Sequence, residues 1–144
     1  MMTLPSHPFG TEITCEAIIE LMGQANGWED RYRNVIQLGK KLPAMPEALK
    51  QDQLKVSGCE SQVWLIHQQR EDGTFHFVAD SDARIVRGLI TLVLAAFEGK
   101  NAQQIEAFDI DGYFEQLNLL AHLSPSRGNG LKAIVEQIKA LAEG

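Results

Sequence analysis

The chain has 144 residues, 44% of them apolar and 22% charged, which is enough for one core built without metal or disulfide staples and argues against compositional disorder. A formal net charge of −6 argues against a protein whose main work is gripping DNA or RNA phosphates, and against docking on an anionic membrane. The longest apolar run, residues 89–97, is too short to span a bilayer, and no basic-then-apolar leader opens the chain.

In chain order, residues 1–11 carry two prolines and Gly10 and read as an arm. Ile18, Ile19 and Met22 follow Cys15 at helical spacing. A second helix begins at Trp28, with Glu29 and Asp30 in its first turn and Lys40 and Lys41 in its last, as the helix dipole favours. Pro43 and Pro46 end it. Three strands are expected next, at 53–56, 62–69 and 74–79, with Asp72-Gly73 as a hairpin signal. A two-residue loop there would put Trp64, Ile66, Phe75 and Phe77 on one face, and His67 with His76 on one face. Asp80-Ser81-Asp82 reads as a cap for an apolar helix over 83–98, stopped by Gly99. Short helical pieces fill 102–120. Ser124-Pro125 opens a final amphipathic helix through Leu131, Ile134, Val135, Ile138 and Leu141. The expected fold is α+β: one two-layer domain over 1–144, with a three-stranded antiparallel sheet packed against helices.

The chemistry concentrates on cysteine. The two cysteines, Cys15 and Cys59, lack the CxxC spacing of zinc or dithiol sites, and a reducing cytoplasm fits them best. Cys59 lies between two strand candidates, and Gly58 permits a tight turn before it. A thiol at a loop tip can be carried into another protein's active site. A small apolar filler beneath the turn is the competing reading. Glu60 beside it raises rather than lowers a thiol pKa, which suits a carrier better than a hydrolase. Cys15, inside a helix, is expected to be structural. The pair His67 and His76 is too small a set for a metal site, and no metal or cofactor is expected. Arg127 sits in the first turn of the last helix, against the dipole, and needs compensation. The choices are a partner or an anion that it presents, a carboxylate such as Asp80 or Asp82, or fixing the Cys59 loop. Asp82 reads as a helix cap with a further role in holding that loop.

Several blocks taken together carry a resemblance. Trp28-Glu29-Asp30-Arg31-Tyr32 with Leu38-Gly39-Lys40-Lys41-Leu42-Pro43 resembles the opening helix of SufE-like sulfur acceptors. Gly58-Cys59-Glu60-Ser61-Gln62-Val63-Trp64-Leu65 resembles their sulfur-accepting loop and the strand after it. Asp80-Ser81-Asp82-Ala83 with Ile85-Val86-Arg87-Gly88-Leu89 resembles their central helix, and His122 to Arg127 with Asn129-Gly130-Leu131 their last. His7-Pro8-Phe9-Gly10 is more similar to the CsdE branch, whereas the Asp80 and Ser124 blocks look at least as much like SufE itself. The resemblance implies a fold shared with IscU-type scaffolds and persulfide acceptance on Cys59. It implies a pyridoxal-phosphate cysteine desulfurase of the CsdA/SufS type as partner, which keeps the cofactor. Onward delivery would go to a recipient protein in iron–sulfur cluster assembly or tRNA modification. Cluster assembly on this chain is disfavoured, because scaffolds use three cysteines and one loop cysteine exists here. Two other functions stay open: a regulatory binding module of a desulfurase, and a stand-alone cysteine hydrolase with a distant histidine as base.

Overall fold

The computed structural model describes residues 4–56 and 61–143. Two helices open it, α1 (Cys15–Gly23) and α2 (Trp28–Lys40). The Thr14 side chain caps α1 by accepting from the Ala17 N–H, and α1 buries Cys15, Ile18 and Met22. Gly27, at φ 90°, turns the chain into α2, which buries Val35, Leu38 and Gly39. Short 3-10 turns at Glu47–Leu49 and Asp52–Leu54 lead to an antiparallel hairpin of β1 (Val63–Gln69) and β2 (Phe75–Ser81). Then come α3 (Arg84–Phe97), α4 (Ala102–Ala107), α5 (Ile110–Leu117) and the long α6 (Pro125–Glu143).

Helix α3 is the centre of the molecule. Its residues from Gly88 to Phe97 are all buried, so every side of it meets protein over that stretch. It packs on the sheet, on α2 and on α6. The approach to α2 is made through glycine: a Cβ on Gly88 would stand 2.2 Å from the Val35 carbonyl oxygen, and one on Gly39 would stand 2.8 Å from the Gly88 nitrogen. Two backbones can lie that close only where neither carries a side chain.

The sheet differs from expectation in two ways. Among the described residues it has two strands, not three. The stretch at 53–56 spends its first residues in a 3-10 turn and joins β1 through one bridge, Lys55 opposite Trp64, with the Val56 N–H donating to the Val63 carbonyl at 2.8 Å. The hairpin register is also shifted. Val63 pairs with Ser81, Leu65 with Ala79 and His67 with Phe77. The Arg70 N–H donates to the Thr74 carbonyl, so the loop has three residues, 71–73, ending on Gly73 at φ 86°. One extra loop residue exchanges the face of one strand relative to the other. Hence Leu65, Phe75, Phe77 and Ala79 join the main core under α3. Trp64 and Val78 face the other way, into a smaller cluster with Met45 and Leu49, with Leu4 and Ile66 packed against it. His67 and His76 therefore lie on opposite faces.

Candidate functional site

Gly58 and Cys59 lie outside the described residues; what can be built is the frame on either side of them. The chain enters at Val56, tied to Val63 as above. It leaves through Ser61 and Gln62. The Gln62 N–H donates to Asp82 Oδ1 at 3.1 Å, and the Asp82 N–H donates back to the Gln62 carbonyl at 3.3 Å. Both ends of the segment are thus pinned to the hairpin, one by backbone and one by a carboxylate.

Beside Ser61 lies a cavity of about 240 Å³ between α3 and α6. Val86, Leu89, Leu131 and Ile134 supply apolar walls, and Ser124, Ser126 and Arg127 supply polar groups. The Ser124 hydroxyl accepts from the Arg127 N–H at 3.4 Å, as a residue that caps the first turn of α6 does. Arg127 is exposed, and no carboxylate among the described residues pairs with it. Neither aspartate named for it is open: Asp82 holds Gln62, and Asp80 is engaged elsewhere. Apolar walls with a guanidinium and two hydroxyls can take a small apolar group that ends in an anion.

Neither Asp80 nor Asp82 is the helix cap that the sequence led us to expect; Asp82 accepts from Gln62 instead. β2 runs on through Ser81, and α3 starts at Arg84 behind Ala83, with no side-chain cap. Asp80 is fully buried, and its carboxylate accepts from the Met45 N–H at 2.8 Å, from the Ser81 N–H and from the Arg87 guanidinium. Arg87 also donates to the Leu42 carbonyl. This clamp ties the chain that leaves α2 to the loop-bearing end of the hairpin.

Sequence reasoning missed a second cluster at the far end of α3. Glu98 is buried. Its Oε2 lies 2.7 Å from His76 Nδ1 and 3.1 Å from Arg70, and its Oε1 accepts from the Phe77 N–H at 2.9 Å with His7 Nε2 at 3.2 Å. Burial pulls this carboxyl's pKa up, but the bonds from His7, His76 and the Phe77 N–H outweigh it and hold the pKa at about 2. The three side chains bring one donor atom each within 4.8 Å of one another. Each of those atoms already has a protein partner, and Arg70 adds a fixed cation, so the cluster is a hydrogen-bond clamp rather than a metal centre. One signal could have found it: a carboxylate just past a helix C-terminus opposes the dipole and calls for cations nearby.

Cys15 is buried against Tyr113, and burial pushes its thiol pKa up, the opposite of what a nucleophile needs. Trp28, one of the few large apolar side chains left exposed, stacks on His122 at 5.9 Å. Among the described residues, no helix is long and apolar enough to cross a membrane.

Residues 16–142 match the family described as SufE, Fe-S metabolism associated domain. The chain is 46% identical to the sulfur acceptor protein CsdE of Escherichia coli (strain K12), over 93% of this chain and 91% of that one. It is 46% identical to an uncharacterised SufE-like protein of Rhizobium meliloti (strain 1021), over 90% of this chain and 94% of that one. A further SufE-like protein, from Rhizobium etli, is 45% identical over 81% of this chain and 80% of its own length.

Proposed function

Because the chain belongs to the SufE family, we propose that it is a sulfur acceptor which takes a persulfide onto Cys59 from a cysteine desulfurase and relays it. The observation that carries this reading is the contrast between its two cysteines. Cys15 is walled into the core with a raised pKa, while Cys59 belongs to a segment whose two ends are tied to the hairpin beside a cavity rimmed by Arg127.

The transfer is a thiol exchange. The Cys59 thiolate attacks the outer sulfur of the desulfurase persulfide. A new sulfur–sulfur bond forms on Cys59, the old one breaks, and the desulfurase cysteine leaves as thiolate. No net oxidation occurs and this chain needs no cofactor; pyridoxal phosphate stays with the partner. Asp82 supports the loop from the hairpin, Gly58 lets it turn, and Arg127 acts in docking or steadies the persulfide anion. A second thiol exchange hands the sulfur to a recipient in iron–sulfur cluster assembly or tRNA modification. The cytoplasm, where thiols stay reduced, is the fitting compartment.

The test is desulfurase turnover on cysteine with a reductant, measured against the concentration of this protein, with mass spectrometry of its cysteine peptides. One sulfur atom should be gained on the Cys59 peptide. Cys59→Ser should lose stimulation, and Arg127→Ala should raise the half-maximal concentration more than it lowers the plateau. Full stimulation by Cys59→Ser, or persulfide found mainly on Cys15, overturns the proposal.

A further inference from the structure

The geometry points to a proton-dependent clamp on the N-terminal arm: residues 4–9 are fastened across the outer edge of β2 by His76 in its doubly protonated form.

Both ring nitrogens of His76 face acceptors. Nδ1 lies 2.7 Å from Glu98 Oε2 and Nε2 lies 2.9 Å from the Pro5 carbonyl oxygen. A peptide carbonyl cannot donate. The Glu98 carboxylate already accepts from Arg70 and from the Phe77 N–H, so it too serves as an acceptor here. A neutral imidazole has one N–H and could satisfy only one of the two contacts; the imidazolium satisfies both.

The charged and titratable groups around His76 come from three elements. The arm brings His7, whose ring stacks on His76 at 5.4 Å, whose Nδ1 accepts from the Phe9 N–H and whose Nε2 contacts the Phe77 carbonyl oxygen at 2.8 Å. The hairpin loop brings Arg70, and the end of α3 brings Glu98. β1 places the uncharged Gln68 opposite. One anion thus sits between an arginine and the His76 imidazolium.

The sign of the effect follows. The Glu98 hydrogen bond raises the His76 pKa from its ordinary 6.5, against burial, and the Pro5 carbonyl adds to the rise. Below about 6.5 the proton is present whether or not the arm is docked, and the clamp is complete. As pH climbs through the raised value, the proton leaves and one of the two bonds is lost with it. The outer part of the arm then loosens. Phe9, fully buried and bridged to Ile13, stays as the inner anchor, while Leu4 lifts from the Trp64 cluster.

The test is a histidine-resolved NMR titration of the whole protein from mildly acidic to alkaline pH. His76 should titrate above its ordinary 6.5, and the amides of residues 4–7 should move with the His76 midpoint. In Glu98→Gln that midpoint should fall, since the carboxylate bond is the largest cause of its rise, and the arm amides should follow it down. Should that variant not fold, the wild-type midpoints decide. A His76 midpoint at or below 6.5, or arm amides indifferent to it, overturns the clamp.

Discussion

Asp80 and Glu98 stand at opposite ends of the unit formed by β2 and α3, and both are almost wholly buried. Each carboxylate fastens a stretch of chain that has no regular structure of its own. Asp80 holds the segment at 42–45 that leaves α2, and Glu98 holds the N-terminal arm. They differ in the cation. Arg87 keeps its charge at every pH a folded protein meets, so the Asp80 end is permanently closed. At the other end a histidine stands between the carboxylate and the arm, so closure there depends on a proton. The same device, a buried carboxylate gathering backbone and side-chain donors, is fixed at the end of β2 where Gln62 pairs with Asp82 and conditional at the other end.

The largest expected effect is at the fixed end. Asp80→Ala leaves Arg87 facing a buried gap and the Met45 N–H without its acceptor, and should cost about 3–5 kcal/mol of unfolding free energy. Urea unfolding at neutral pH measures it. A loss below about 1 kcal/mol would mean that Arg87 finds another partner, and the contrast between the two ends would collapse.

A smaller effect, with a pH signature, belongs to the other end. Glu98 ionises near 2 in the folded chain against an ordinary 4.5. A carboxyl with a lowered folded pKa stabilises fully above its unfolded value, and that stabilisation is lost as pH falls through the folded one. Glu98→Gln should therefore cost about 1–3 kcal/mol at neutral pH, with the gap to wild type closing between pH 4.5 and about 2. A gap that stayed constant over this range would show that shape, not charge, holds this end. Smallest of all is Arg70→Ala. The Arg70 side chain is 46% exposed, so its bond to Glu98 should be worth less than about 1 kcal/mol by the same unfolding assay. A loss as large as that of Asp80→Ala would move the weight of the Glu98 clamp from histidine to arginine.

The helices were legible because their signals are local. The apolar circumference of α3, the Ser124-Pro125 start of α6 and the acidic first turn of α2 can each be read within a few residues. The sheet was less legible because a strand's faces depend on loop length. Asp72-Gly73 announces a turn equally well with two residues or three, and the third residue moves Trp64 and Ile66 out of the main core. Asp80 and Asp82 were misread for a related reason: Asp-Ser-Asp before an apolar run looks like a cap unless β2 is known to continue through Ser81. The Glu98 cluster joins residues 7, 76 and 98, and no spacing rule connects them. At the candidate site, the family blocks singled out Cys59, Asp82 and Arg127, but Ser61 beside the cavity and the two-way Asp82–Gln62 pairing come only from the fold.

The glycine seam between α2 and α3 bears on this last point. Leu42, whose carbonyl Arg87 grasps, lies two residues past the end of α2, and Arg87 precedes Gly88 on α3. A methyl group at position 88 would act as a shim against Val35, levering α2 outward and drawing Leu42 away from the guanidinium. A machinist would call the seam a gauge block: the two bare residues fix a clearance, and the alignment of the Asp80–Arg87 ion pair inherits its tolerance from them.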